Sequence, residues 1–226
     1  MTQQQQLHNS SIPPNVWRVW FVRHGMTEWN VQGRFCGRSD ISLSSKGREQ
    51  AQWLATRLRS LVSRPVTVYA SDLPRAYETA SSIATSFATP VIVSKEWREI
   101  DFGDFEGLTY SEVETRYPEH LGFFTEPDKY APLHGEALSD VVQRTQRELK
   151  SILQQSSSTQ SIIIVSHGGA LRALLCSLLG MPLRRQWQLR IDVDSISAVD
   201  LSFDDDGSLL ATLLLLNMNE QYTGMM

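Results

Sequence analysis

Positive charge is in short supply in this chain: its 226 residues carry a formal net charge of −4. A nucleic-acid-binding face needs a basic surplus to neutralise phosphates, so that class of partner is set aside. Cysteine is scarcer still. Cys36 and Cys176 have no zinc or redox spacing and read as free thiols of a cytoplasmic protein. No apolar run approaches the ~20 residues that a membrane helix needs. The opening Met1-Thr2-Gln3-Gln4-Gln5-Gln6 is polar and lacks the apolar centre of a signal peptide. Internal repeats are absent. The remainder is ordinary, with 41% hydrophobic and 20% charged residues, which suits one globular domain with a proper core. In an acidic protein, a local gathering of cations points to a small anion.

The pattern along the chain is one of alternating strands and helices. Residues 1–15 end in Pro13-Pro14 and are expected to form a mobile tail, leaving 16–226 as a single domain. An apolar, β-prone run over 16–22 predicts the first strand. A helix is expected from Ser44 or Ser45, either of which can cap it, with Ala51, Leu54, Leu58 and Leu61 as its buried stripe. Val66 to Ala70 predicts a second strand, and Ser71-Asp72-Leu73-Pro74 turns into a helix that tolerates Pro74 in its first turn. Val91-Ile92-Val93 is the third. Residues 101–135, rich in proline and aromatics, break the alternation and are read as a flap with a short helix near 109–116. A long helix with Leu138, Val142, Thr145, Leu149 and Ile152 on one face follows, then a strand over 162–165 and a helix from Gly168 to Leu179. Asp204-Asp205-Asp206-Gly207 closes a final hairpin. This alternation predicts an α/β fold, a three-layer α/β/α sandwich with a mainly parallel sheet, an antiparallel edge strand and a flap insertion over the site.

Ligands of such sheets bind beyond the carboxyl ends of the strands. Arg23-His24-Gly25 follows the first strand, and Ser166-His167-Gly168-Gly169 follows the 162–165 strand. A neutral imidazole is a nucleophile near pH 7, and His24 is the candidate. Arg23, and Arg75 from the next strand–helix junction, supply forked donors for the non-bridging oxygens of a phosphoryl group. His167, in its protonated form, adds a third cationic donor. Gly168 and Gly169 leave backbone N–H groups at a helix N-terminus, and Asn30 adds a neutral side-chain donor. Glu99, between the third strand and the flap, is the carboxyl chosen to protonate the leaving alkoxide and then to deprotonate water.

These residues resemble the histidine phosphatase superfamily in its phosphoglycerate-mutase-like branch, from about Trp17 to Asn217. The resemblance rests on Arg23-His24-Gly25-Met26-Thr27-Glu28-Trp29-Asn30, on Leu43-Ser44-Ser45-Lys46-Gly47-Arg48-Glu49-Gln50-Ala51 and on Ser71-Asp72-Leu73-Pro74-Arg75-Ala76. It continues through Glu99 to Gly107 and Ser166-His167-Gly168-Gly169. It implies a phosphorylated His24, a phosphate pocket of Arg23, Arg75 and His167, Glu99 as proton donor, and no metal or other cofactor. Two positions depart from the pattern. Cys36 stands where many relatives carry a threonine or serine, and a thiol is a weak donor. His134-Gly135-Glu136 replaces two glycines before the glutamate, which makes His134 a candidate contact for the distal end of a substrate, against its simpler reading as a loop residue.

The expected activity is hydrolysis of a small phosphorylated metabolite. Phe102-Gly103-Asp104-Phe105-Glu106-Gly107 and the stretch from Leu179 to Asn217 look most like phosphatases of the α-ribazole type, which act in cobalamin assembly. A bisphosphoglycerate-dependent phosphoglycerate mutase is the enzymatic alternative. It would need extra cations near the flap, whereas residues 105–135 carry six acids (Glu106, Glu112, Glu114, Glu119, Glu126, Asp128) against Arg116 and Lys129. Phosphoserine and sugar phosphates stay open as substrates. A non-catalytic phosphate-binding protein is disfavoured, since binding alone requires neither a nucleophile nor a proton donor. No membrane partner is expected, and monomer and homodimer are both left open.

Overall fold

The structure, a computed structural model, describes residues 15–62, 65–157 and 161–223. The expected tail thus lies outside the described residues except for Asn15. Six strands form one sheet: β1 (Trp17–Arg23), β2 (Val66–Ala70), β3 (Val91–Val93), β4 (Ser161–Ser166), β5 (Ile196–Phe203) and β6 (Leu209–Met218), in the order β3-β2-β4-β1-β5-β6. β1, β2, β3 and β4 run parallel, and β5 is antiparallel to both β1 and β6. The reversed strand therefore sits one place in from the edge, and β6 at the edge runs in the same sense as β1.

Five helices of two turns or more accompany the sheet among the described residues: α1 (Ser45–Leu61), α2 (Pro74–Phe87), α3 (Tyr110–Arg116), α4 (Leu138–Gln155) and α5 (Gly168–Leu178). Ser44 caps α1 by accepting from the Gly47 N–H, and Pro74 occupies the first turn of α2, as the sequence predicts. Alternation along the strands sorts side chains into two layers. Trp20, Val22, Ile163 and Val165 face Leu54 and Leu58 of α1 and Ala80, Ile83 and Phe87 of α2. Val19, Phe21, Ile162 and Ile164 face Leu149, Ile152 and Leu153 of α4 and Leu171, Leu174 and Leu175 of α5. β4 is buried along its whole length, which explains the unbroken apolar run Ile162-Ile163-Ile164-Val165 at its centre. Cys176 lies in this second core. No helix of the described residues is long and apolar enough to cross a membrane.

The flap region has more structure than its sequence suggests. Besides α3, residues Gly103–Phe105 and Pro118–His120 form 3-10 turns and Gly122–Thr125 a single helical turn. Phe102, Phe105, Val113 and Phe123 pack with Leu138 and Val141 of α4 and with Ala170 and Ala173 of α5 into a third core. Val141 is the buried residue in that turn of α4; Val142, expected on the inner face, is half-buried and leans on the flap.

The start of α1 meets the loop after β1 at van der Waals limits. A Cβ on Gly25 would lie 2.4 Å from the Gly47 oxygen, and one on Gly47 would lie 2.0 Å from the Met26 oxygen. Both obstacles are backbone, so neither can swing away. Gly47→Ala should therefore push α1 off the loop that carries His24, at a cost of about 1–3 kcal/mol. Urea denaturation and turnover measured together check this. Wild-type stability and wild-type rate in that variant would show that the contact is not tight.

Candidate active site

The carboxyl ends of β1 and β4 open onto one cleft of about 200 Å³ between the sheet and the flap. Arg23, His24, Asn30, Glu99 and Gly168 line it, while Arg75 and His167 lie behind them, wholly buried. Six of the positions singled out from the sequence thus surround His24. His134 does not join them. It sits on the outer loop, its side chain 75% exposed and paired with Asp104 at 3.1 Å, and it is not among the cleft residues. Its backbone takes a left-handed φ of 56° where the chain doubles back over Gly103, and this turn directs the imidazole to solvent.

Each side chain is placed by identifiable contacts. The His24 ring Nδ1 donates to the Gly25 carbonyl at 2.7 Å. A carbonyl only accepts, so the proton is on Nδ1 and the lone pair on Nε2. His167 stands edge-on to His24, with ring centroids 5.0 Å apart, and neither of its nitrogens has a hydrogen-bond partner among the described residues. Arg75, in the first turn of α2, gives its terminal nitrogens to the carbonyls of Cys36, Gly37 and Ser39. Arg23 gives one to the Ile191 carbonyl at 2.7 Å. Among the described residues the buried Nε–H groups of both arginines have no partner, and neither guanidinium has a carboxylate within salt-bridge distance. Asn30 uses its oxygen to cap the turn Glu28–Val31, accepting from the Thr27 N–H and hydroxyl, which leaves its NH₂ for the cleft.

Glu99 is held against the N-terminus of α5. One carboxylate oxygen accepts from the Ile100 and Ala170 N–H groups at 2.9 and 2.7 Å, and the other from Gly169 at 2.9 Å. The helix-terminal N–H of Gly169 is therefore used by Glu99 and is not left for an anion, contrary to the sequence expectation. Oε2 has a single donor and keeps a lone pair. The segment that carries Glu99 is fastened by the Arg98–Asp72 fork and by Arg144, which donates to the Glu99 carbonyl. Gly168 and Gly169 have no room for side chains: a Cβ would lie 2.9 Å from the Arg23 guanidinium carbon and 2.6 Å from Glu99 Oε1, respectively.

Burial, followed by Arg75 and then Arg23, holds the His24 imidazole well below its usual 6.5. Burial first, then Arg75, His24 and Arg23, does the same for His167. Both rings are neutral at pH 7, so His167 is a neutral N–H donor here, not the third cation expected from the sequence. Arg23 is lowered by burial to about 10 and stays protonated. Burial pushes the Cys36 thiol up to about 11, so it is no nucleophile at neutral pH.

The outer cleft escaped the sequence reading. Phe35, Phe102, Phe123, Phe124 and Trp187 form an aromatic wall beside Arg172 and Gln186. Trp187 donates to the Phe124 carbonyl at 3.2 Å, and the Arg172 guanidinium lies 4.8 Å from its ring centre. Arg172 was within reach of pattern reasoning, since it lies one helical turn after Gly168. Trp187 and Gln186, in the 3-10 segment Leu183–Gln188, carried no such signal. The acids of the flap do not line the cleft. Glu106 accepts from the Gly37 and Ser39 N–H groups, Glu112 caps α3, Glu126 pairs with Lys129 and Asp128 with Arg184. The flap meets a ligand with phenylalanines instead.

Residues 19–214 match the model of the histidine phosphatase superfamily (branch 1). The chain is 33% identical over 201 residues to an adenosylcobalamin/alpha-ribazole phosphatase of Escherichia coli, covering 88% of this chain and 95% of that one. It is 35% identical over 185 residues to phosphoserine phosphatase 1 of Hydrogenobacter thermophilus, covering 81% and 86%. The native structure of a mycobacterial glucosyl-3-phosphoglycerate phosphatase superposes with a TM-score of 0.81 at 28% identity, over 90% of this chain and all of that one.

The buried imidazoles link stability to pH. In the unfolded chain each protonates near 6.5, whereas in the fold burial and the arginines hold it neutral well below that. The unfolded state therefore binds more protons, and stability must fall as pH drops below 6.5, by up to about 1.4 kcal/mol per pH unit for each ring. Urea midpoints at pH 7.5 and 5.5 should show a larger acid loss for the wild type than for His167→Asn. Equal losses would mean that His167 is charged in the fold.

Proposed function

Because the chain belongs to branch 1 of the histidine phosphatase superfamily and is a phosphomonoester hydrolase, we propose that it works through a phosphohistidine on His24, without a metal ion. The observation that carries this reading is the set of buried donors without partners, Arg23 Nε, Arg75 Nε and the His167 ring, gathered around an imidazole whose Nε2 bears the lone pair. Such donors match the non-bridging oxygens of a phosphoryl group and supply the positive field that a metal would otherwise bring.

The reaction has two steps. The Nε2 lone pair of His24 attacks phosphorus, the bond to the ester oxygen breaks, and Glu99 gives its proton to the departing alkoxide. Water then attacks the phosphohistidine, Glu99 takes the water's proton, and the N–P bond breaks to release phosphate. Arg23, Arg75, His167 and Asn30 bind the three equatorial oxygens, with Gly168 keeping the Arg23 side of the pocket open.

The substrate is a small phosphorylated metabolite with a ring-bearing body. The aromatic outer wall and the resemblance to the E. coli phosphatase favour α-ribazole 5′-phosphate, with phosphoserine and sugar phosphates as the alternatives. Hydrolysis is preferred over mutase activity because the flap itself meets the cleft with Phe102, Phe123 and Phe124, although Arg34 and Arg172 also line it. Two free thiols, Cys36 and Cys176, suit a cytoplasmic setting.

Turnover of p-nitrophenyl phosphate should persist in excess EDTA. Loss in chelator with recovery on added magnesium or zinc would sink the metal-free mechanism. Rapid quench should trap an acid-labile phosphoryl adduct in the wild type and none in His24→Ala. Glu99→Gln should slow alkyl phosphates such as α-ribazole phosphate at least tenfold more than p-nitrophenyl phosphate, whose leaving group departs with little protonation. An equal loss on both ester types would move the proton donor to another carboxyl.

A further inference from the structure

The pattern around Leu43 to Ala51 includes a glutamine that the reaction does not use. Gln50 lies on α1, is 5% exposed, and reaches the loop after β1. Its Oε1 accepts from the Met26 N–H at 2.8 Å. That N–H shares one peptide plane with the Gly25 carbonyl, and the Gly25 carbonyl is the acceptor for His24 Nδ1–H at 2.7 Å. A peptide plane is rigid, so fixing its N–H fixes the direction of its carbonyl.

Gln50 is itself held. Its Nε2 donates to Asp194 Oδ1 at 3.2 Å, which sets which end of the amide faces Met26. Asp194 is 5% exposed, and its own N–H donates to the His24 carbonyl at 3.1 Å. It stands in a left-handed backbone conformation, φ 54°, at the turn into β5. The chain from Gln50 to Asp194 thus grips the His24–Met26 loop at both ends. On the remaining side the Gly25 N–H donates to the Thr79 hydroxyl at 3.2 Å.

We infer that Gln50, anchored by Asp194, is a positioning residue that selects the tautomer of His24 by holding the Gly25–Met26 peptide, so that Nδ1 carries the proton and Nε2 the lone pair. The inference rests on the reading of His24 as the nucleophile. Without Gln50 the peptide is free to rotate, Nδ1–H loses its fixed acceptor, and the tautomer with the proton on Nε2 becomes populated. That tautomer cannot attack phosphorus. The arginines are not part of this chain of contacts, so binding of an anion stays intact.

The test uses the full-length protein. Gln50→Leu should lower the single-turnover rate of phosphoenzyme formation from p-nitrophenyl phosphate by about tenfold or more, the equivalent of one buried hydrogen bond, with the Kd for inorganic phosphate changed less than twofold. Gln50→Glu should do the same, because it sets a carboxylate against Asp194. Adding Asp194→Asn to Gln50→Glu returns a donor opposite that carboxylate and should restore most of the rate. Long-range ¹H–¹⁵N correlation spectra of the His24 ring should show the proton on Nδ1 in the wild type and in the double variant, and mixed tautomers in Gln50→Leu. If Gln50→Leu fails to fold, the Gln50→Glu pair decides. A double variant no faster than its Gln50→Glu parent, or a His24 tautomer unchanged by loss of Gln50, overturns the inference. An adduct that persists in His24→Ala would instead overturn the nucleophile reading, which separates the two failures.

Discussion

Arg75, wholly buried, and Arg23, partly buried at the cleft, stand beside two imidazoles with no carboxylate among the described residues within salt-bridge distance of either guanidinium, and the rest of the site is arranged around that constraint. Burying unpaired cations is costly, and the fold offsets the cost with carbonyls. The carbonyls of Cys36, Gly37 and Ser39 converge on Arg75, and that of Ile191 on Arg23. To present three carbonyls to one side chain, the 36–39 loop must be held from its other face. Glu106 does this by accepting from the N–H groups of Gly37 and Ser39. The flap acid thus reaches the arginine through a strip of backbone. The charge stays in the site, softened but not neutralised, and the donors left over are those an incoming phosphoryl dianion would take.

The same constraint accounts for the protonation states. Two cations and a dry environment hold His24 and His167 neutral at pH 7, and a neutral imidazole is the form that has a lone pair to give. The one carboxylate that lines the cleft, Glu99, is kept from pairing with the arginines because the N-terminus of α5 takes both its oxygens. The separation matters chemically. A carboxylate forked onto Arg23 would occupy the donors needed by substrate and would be a poorer proton carrier.

Away from the phosphoryl end the cleft changes character. Phenylalanines from the flap and Trp187 form a wall that contributes contact area and no charge. The rim pairs these rings with the Arg172 guanidinium, while Arg23 and, behind it, Arg75 lie at the floor. The relatives to which the chain is similar carry different substrate names.

Much of this was readable without coordinates, wherever the signal was local. The runs before His24 and before His167 mark strands because they are apolar and β-prone, Ser44 and Pro74 mark helix starts by their capping chemistry, and strand ends in parallel sheets are where ligands bind. The match of four motifs in order tied Arg23, Arg75, Glu99 and His167 to one chemistry. The sequence misjudged positions where a neighbour remote in the chain decides the outcome. Acids counted along 105–135 predicted a repulsive field, but none of them lines the cleft, and Glu106, Glu112, Glu126 and Asp128 are taken up by local partners or by the 36–39 loop. At His134 the simpler of the two readings held, since its outward turn makes it a loop residue and not a cleft contact. Gln50 is one polar residue among many on α1 until β5 brings Asp194 to it. Periodicity and composition by themselves determined the six strands and the longer helices, because those depend on neighbours within a turn or two, but not the short turns of the flap or of Leu183–Gln188. Which nitrogen of His24 holds the proton, which carboxyl meets α5 and which rings face a substrate were decided by packing between segments up to 170 residues apart, through contacts that no local pattern encodes.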